Sequence, residues 1–567
     1  MDPVTLEVLR NAAAAVAEEM NATLVRTAYS PNVTDRRDCS CALFDADGAM
    51  VAQAENIPVH LGAMPHSVAA AIEAFPPDTL EPGDAVLLND PFHGGAHLPD
   101  LTLVSPIFHG IEGDEGVGEA ADPELVGFAA NRAHHADVGG ARAGSVAADS
   151  TEIYQEGVRI PPVKLVSAGE ENEAVLALLL ANVRTPEERR GDLGAQRAAN
   201  ETARRRVREL VDRHGLATYR EATVEIQDYA ERRMRSAIAD LPDGDYAFED
   251  VLDDDGRGNE DLAIAATVTV DGESIRADFD GTAAQTEGPL NAPIAVTASA
   301  TYYAVRCLTD PEIPPNAGCY RPIDVDAPEG TIVNAQPPAA VVGGNLEVSQ
   351  RVVDVVLGAM GEAAPERAVA AGQGTMNNLT LGGTDPRDGS AYAFYETQGG
   401  GSGGWAAGDG MDAVHVHMSN TRNTPAEVLE TAYPVRVRRY ALRPDSDGAG
   451  EYRGGLGVRR EIEVLADTDC SLLGDRRRNA PYGVHGGEPG APGADVLVRD
   501  GEERRLDAKV TLDLEPGDVL SIRTPGGGGY GDPADRDPEA VARDLRLGKL
   551  TPDAAHERYG VEPDDPD

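Results

Sequence analysis

Behind an Asp2-Pro3 start, Leu6, Leu9, Ala13, Val16, Met20 and Leu24 recur at helical spacing, which predicts an amphipathic helix over about residues 3–27. The period then changes. Residues 41–52 hold two short apolar runs around an Asp47-Gly48 turn and read as a β-hairpin. A helix from Pro65 to Phe75 and a strand from Ala85 to Leu88 follow. Strands at Leu101 to Phe108 and Leu125 to Ala130 flank an acidic, glycine-rich insertion, Gly110 to Glu124. Residues 150–162 make a polar loop ending in Pro161-Pro162. Helical periodicity returns from Glu170 to His214, with a capping signal at Thr185-Pro186-Glu187-Glu188 and a stop at His214-Gly215, and again from Tyr219 to Leu241.

Residues 246–283 alternate apolar and polar positions and predict a meander of antiparallel strands, followed by helices at Ile294 to Thr309 and Leu346 to Met360. From about 370 to 533 the pattern is mostly strand, with the glycine runs 399–404 and 526–529 as its prominent loops. Two short helices opened by Asp537-Pro538 and Thr551-Pro552, then disordered acids, close the chain. A chain of 567 residues exceeds the size of one core. The expectation is an α+β protein of several subdomains, antiparallel strand-rich sections with flanking helices. The sections are an N-terminal α+β part (1–243), a strand meander with helices (244–369), a glycine-rich β part (370–533) and a helical tail (534–567).

Candidate chemistry concentrates in two stretches, 89–100 and 131–140, each containing His-x-x-Asp; five of the twelve histidines fall between His93 and His135. So many polar groups among glycines and a proline suit a site better than a core, where each would need a partner. His97, Asp100, His134 and Asp137 offer two imidazoles and two carboxylates, a donor set for zinc, manganese or iron rather than calcium or magnesium. The residues alone leave open that they only hydrogen-bond to their loops. His60, just upstream, is a candidate supporting donor or general base. Asn89 and Asp90, which open the first stretch, and His415 and His417, on one face of an expected strand, are candidates for substrate contact.

Charge narrows the classes further. Acidic residues number 97 against 49 basic, a net charge of -48, which excludes nucleic acid and anionic membrane as main partners. Only three of the basic residues are lysine, so the surface reads as that of a halophile protein kept soluble in concentrated salt. Five cysteines without finger spacing argue against a disulfide framework or zinc finger, and Cys41 reads as a buried strand residue. The start lacks a signal-peptide pattern and no apolar run reaches membrane-spanning length, so a cytoplasmic protein is expected. None of the lysines follows a glycine loop as Lys-Ser or Lys-Thr, so no phosphate loop is recognised, and no G-x-S-x-G elbow is present.

The chain resembles the hydantoinase B/oxoprolinase family. The resemblance rests on residues 26–32 (RTAYSPN), 57–62 (IPVHLG), 89–91 (NDP), 94–100 (GGAHLPD), 133–140 (AHHADVGG), 150–153 (STEI), 349–351 (SQR), 420–425 (NTRNTP) and 453–457 (RGGLG). It implies an amidohydrolase that opens cyclic amides such as 5-oxoproline or N-methylhydantoin at the expense of ATP. The resemblance also implies that ATP is handled by a hydantoinase A-type part, usually a separate subunit or else the front half of a fused chain. A similar fold in the alpha subunit of acetone-type carboxylases implies a metal site on His97, Asp100 and His134, with His135 and Asp137 kept as catalytic candidates beside His60. The alternatives are a carboxylase of that type and a scaffold subunit.

Overall fold

The computed structural model describes residues 1–54, 56–110 and 123–561, so residues 111–122 of the acidic insertion and the terminal acids lie outside the described residues. Helix α1 (Pro3–Thr27) opens with the Asp2 carboxylate accepting from the amides of Val4 and Thr5, and Leu9, Ala13, Val16, Met20 and Leu24 form its buried stripe. The hairpin follows as β1 (Cys39–Asp45) and β2 (Met50–Gln53). Helix α2 (Pro58–Ala74) starts earlier than the sequence pattern implied, with Pro65 inside it. Proline fits the first turn at Pro58, and the apolar run Val59, Leu61, Met64, Val68 and Ala71 buries along the same helix, so burial tolerates the bond lost at Pro65. His60 therefore sits in a helical turn rather than ahead of one.

Strands β3 (Ala85–Leu88), β4 (Asp100–His109), β5 (Glu124–His134), β6 (Val163–Ser167) and β7 (Glu170–Glu171) complete a seven-stranded sheet in the order β2-β1-β5-β4-β3-β6-β7, with every pairing antiparallel. Helices cover both faces. Cys39, Cys41, Leu43, Ala129 and Ala133 pack with α1 and with α3 (Pro186–His214) and α4 (Leu216–Ile238). Ala42, Phe44, Phe128, Ala130 and Val104 pack on the other face with Met64, Val68 and Ala71 of α2. This is the alternation a half-buried strand imposes, applied to both sides at once.

The meander forms β8 (Gly244–Asp254), β9 (Glu260–Asp271) and β10 (Ser274–Asp278), extended by β11 (Ile323–Asp326), which runs parallel to β10. Helices α5 (Ile294–Leu308) and α6 (Ser349–Ala363) pack on it, and a single π-turn, Gly344–Val348, leads into α6. The largest apolar cluster draws Ile57 and Val59 from the first section, Val296 and Val355 from the second and Leu473 from the third.

The later part of the chain builds a four-stranded and a five-stranded antiparallel sheet. The glycine runs are not free loops. They are chain segments packed side by side and bonded to one another: Gly401 N–H donates to Pro525 O, Gly404 to Gly528, Gly527 to Gly455 and Gly448 to Gly527. A Cβ on Gly403 would sit 1.7 Å from the Ala370 carbonyl oxygen, so only glycine admits this spacing. The strand expected around His415 and His417 is absent: the stretch carries an isolated bridge at Val414 and a positive φ of 53° at His417, which breaks the pleat. The tail helices run Pro538–Arg546 and Pro552–Tyr559. Among the described residues no helix is long and apolar enough to cross a membrane.

Candidate metal centre

The register of β4 and β5 places Asp100 directly opposite His134, and residues opposite one another in a ladder project from the same face. On the other edge of β5 the His134 amide donates to the Asp38 carbonyl at 3.0 Å, one position before β1 pairs Cys39 with Ala133. Asp38, His134 and Asp100 thus form one row across three strands on the face that meets α2. His97 joins from the turn before β4, where the Asp100 amide donates to its carbonyl at 3.1 Å. His60 descends from the first turn of α2.

The functional atoms converge. His97 Nε2 lies 3.0 Å from Asp100 Oδ1 and 3.2 Å from His134 Nδ1, and His134 Nδ1 lies 3.1 Å from Asp100 Oδ1. His60 Nε2 is 3.3 Å from Asp100 Oδ2 and 3.8 Å from Asp38 Oδ1. His97 and Asp100 are 0% exposed and His134 2%. Burial alone would raise the Asp100 pKa, but the imidazoles of His97 and His60 outweigh it and hold the carboxyl well below its usual range. Burial pushes His134 down.

These three side chains fit a divalent cation. Two nitrogens and one oxygen with mutual separations of 3.0–3.2 Å match the edge of a tetrahedron, about 3.3 Å for bonds of about 2.0 Å. Two imidazole nitrogens turned toward each other can share at most one proton between them, whereas a cation accepts both lone pairs. Asp38 stands in the same row as a further carboxylate, and sequence reasoning gave it no role.

Supporting groups hold the arrangement. Tyr395 stacks on His134 with centroids 4.4 Å apart and 17° between planes, and its hydroxyl donates to Asn378 Oδ1 at 3.1 Å. Asn345, in the π-turn, donates to Asp100 Oδ2 at 3.4 Å. Arg36 donates to the Tyr395 carbonyl and the Thr397 hydroxyl, both at 2.9 Å, and its guanidinium lies over the Tyr395 ring at 5.0 Å. Tyr395, Asn345 and Arg36 come from parts of the chain distant from the His/Asp stretch, and no local pattern marks them.

The other candidate residues do not join the cluster. His135, the strand neighbour of His134, faces the opposite side, where its Nε2 meets Gln196 Oε1 of α3 at 3.0 Å; burial beside Arg189 lowers its pKa to about 4. Asp137 accepts from the amides of Gly139, Gly144 and Arg184 and pairs with the Arg184 guanidinium at 2.8 Å, which holds the loop after β5. Asn89 spends its side chain on Leu98 O, Val158 O and the Ile160 amide, fixing the turn that delivers His97. Asp90 caps the next turn through the Phe92 amide and His93. His415 is held by Ser419 and Asn423, and His417 lies 3.3 Å from Asp354.

A family model described as Hydantoinase B/oxoprolinase matches residues 2–533. An uncharacterised protein of Methanocaldococcus jannaschii is 41% identical over 99% of this chain and 96% of its own length. The putative B-type subunit of a D-/L-hydantoinase from a Pseudomonas species is 34% identical over 99% of this chain and 95% of its own length. 5-Oxoprolinase 1 of Arabidopsis thaliana is 37% identical over 94% of this chain, which spans 42% of that longer protein. Among solved structures, an ATP-dependent caprolactamase from Pseudomonas jessenii superposes with a TM-score of 0.91 at 34% identity, covering 100% of this chain and 97% of that one. An acetone carboxylase chain shares the fold, with a TM-score of 0.89 at 21% identity over 99% of this chain and 80% of that one.

Proposed function

This chain belongs to the hydantoinase B/oxoprolinase family, and we propose that it is the B-type subunit of an ATP-dependent hydrolase that opens the ring of a cyclic amide together with a hydantoinase A-type subunit. The observation that carries the reading is the convergence of His97, Asp100 and His134 on one point in a chain without a recognisable phosphate loop. Ring opening of an unstrained lactam needs an activated carbonyl, and the partner would supply it from ATP. The net reaction consumes one lactam, one ATP and two waters and yields the amino acid, ADP and phosphate.

His97, Asp100 and His134 would hold manganese, zinc or iron, with Asp38 close by. Such an ion supplies Lewis acidity and makes bound water more acidic. The chain's own residues do the rest. His60, in contact with Asp100 and near Asp38, would take and return a proton. Tyr395 and Asn345 fix the His134 ring and the Asp100 carboxylate. Burial of the whole cluster excludes bulk water from an activated intermediate.

The deciding experiment co-expresses the chain with an A-type subunit and follows phosphate release and ring opening with 5-oxoproline, N-methylhydantoin and caprolactam, using acetone with bicarbonate as a parallel arm. Lactam turnover that requires both subunits and ATP is the expected result. Ring opening by this chain alone without ATP, or turnover of acetone only, would refute it.

A further inference from the structure

The π-turn Gly344–Val348 is packed tightly behind the metal centre. A Cβ on Gly344 would lie 2.0 Å from the Asn291 carbonyl oxygen, and all five residues of the turn are buried. Such turns are rare and recur at functional sites. Asn345, from this turn, contacts Asp100 Oδ2 at 3.4 Å. Two residues further on stands a second polar side chain, Glu347, which is 0% exposed.

Glu347 reaches a different ligand through two other side chains. Its Oε1 accepts from the Met376 amide at 3.2 Å and from Asn378 Nδ2 at 2.8 Å, and the same Nδ2 donates to the Leu473 carbonyl at 2.7 Å. Both hydrogens of the Asn378 amide therefore meet fixed acceptors, and a flipped amide would set its oxygen against two oxygens. Oδ1 is left to receive the Tyr395 hydroxyl at 3.1 Å, which makes the hydroxyl the donor. Asn378 opens the strand Asn378–Thr384 and Tyr395 lies in its antiparallel neighbour Ala391–Glu396, so the sheet sets their spacing. The Tyr395 ring in turn lies on His134 with 4.4 Å between centroids. Burial, reinforced by Asp475, pushes the Glu347 pKa up to about 7, but Oε1 can accept in either protonation state, so these contacts do not depend on the charge.

A histidine that ligates a metal ordinarily donates its other ring N–H to an oxygen, which fixes the plane of the ring. His134 turns Nδ1 to the cluster, while its Nε2 is buried and has no hydrogen-bond partner among the described residues. The stack on Tyr395 takes over that task. We propose that Glu347 is a positioning residue of the metal centre, which fixes the plane of His134 through Asn378 and Tyr395 while Asn345 of the same turn holds Asp100. One π-turn thus braces two of the three side chains that would share the cation. The assignment rests on the metal-centre reading, and its test does not depend on turnover.

The test titrates the metal-stripped full chain with zinc against a chelator of known affinity and records the visible absorption bands of the cobalt form. Glu347→Leu and Tyr395→Phe should each weaken zinc binding about tenfold, the low end of what outer contacts to a ligating histidine contribute, and should shift the cobalt bands. Glu347→Gln, which keeps the accepting oxygen, should retain the affinity and spectrum of the wild type. Because Glu347 acts through the Tyr395 hydroxyl, the Glu347→Leu/Tyr395→Phe variant should bind about as well as either single one, whereas independent effects would multiply to about a hundredfold. Asn378→Leu cuts the same link and replaces Glu347→Leu if that variant does not fold. Unchanged affinity and bands in the single variants, a Gln variant as weak as the Leu one, or losses that multiply in the double variant would overturn the proposal. A wild-type chain that binds neither ion would overturn the metal centre together with this role of Glu347. The expected affinities without lactam turnover by the two-subunit enzyme would leave Glu347 in place and remove the hydrolase reading.

Discussion

Replacing Gly527 by Ala tests whether the glycine-rich segments are structural members rather than loops. A Cβ at this position would lie 1.9 Å from the Ser402 carbonyl oxygen and 2.4 Å from its carbon, where ordinary contact begins at 3.4 Å, so the two segments must part by about 1.5 Å. Gly527 donates to Gly455 O at 2.9 Å and accepts from the Gly448 amide at 2.8 Å, and the separation would strain both bonds. Losing two buried backbone bonds costs about 2–6 kcal/mol and overpacking adds about 1–3 kcal/mol, so a loss of about 3 kcal/mol or more is expected. Gly194 is the control. It lies within α3, no heavy atom approaches its would-be Cβ within 4 Å, and Gly194→Ala should gain about 0.5–1 kcal/mol from helix propensity. Trp405 is the only tryptophan, and its neighbour Gly404 donates to Gly528, so its fluorescence reports on this region during urea unfolding. With a slope of about 3 kcal/mol per M the Gly527→Ala midpoint should fall by about 1 M or more. An unchanged midpoint, or equal shifts for the two variants, would refute the packing argument.

His97→Ala or His134→Ala should sharply lower the divalent metal content of the purified chain while far-UV circular dichroism stays native, and full metal retention in both would sink the assignment of these ligands. With a net charge of -48 the melting temperature should climb steeply from low to molar salt, because the screening length shrinks from about 30 Å at 0.01 M to about 3 Å at 1 M; a flat profile would mean the acids are compensated locally. Asp475 joins Lys509 at 3.1 Å and Arg351 at 3.0 Å; burial opposes its charge, but these cations pull its pKa down to about 2. A depressed carboxyl stabilises the fold above its unfolded pKa of about 3.9 and loses that contribution as pH falls through about 2. Asp475→Asn should therefore cost about 3–5 kcal/mol near neutral pH, since Lys509 and Arg351 keep only carboxylates at 3.5–3.8 Å, and the gap to wild type should narrow between about pH 4 and 2. A gap independent of pH over that window would contradict the ionised state of Asp475.

Local pattern determined a good deal of this molecule. The stripe from Leu9 to Leu24, the Asp47-Gly48 turn and the apolar runs before and after the His/Asp stretch each encode an element by their own periodicity, because helix and strand bury side chains at different spacings. The His-x-x-Asp of residues 97–100 brought two members of the cluster together for the same reason: a tight turn joins them whatever the rest of the chain does. His134 and His135 face opposite sides and only His134 meets Asp100, but the expected strand ended at Ala130, so local pattern did not tell the two apart. What tertiary structure alone decided is which strands neighbour β5. Pairing with β4 on one edge and β1 on the other lines up Asp100, His134 and Asp38, and no spacing in sequence fixes a register between strands that long loops connect. The same holds for Tyr395 against His134 and for the glycine segments, where the need for glycine comes from a carbonyl more than a hundred residues away, such as Ser402 against Gly527. Local propensity reads the neighbours a residue has along the chain; these groups are defined by neighbours that only packing supplies.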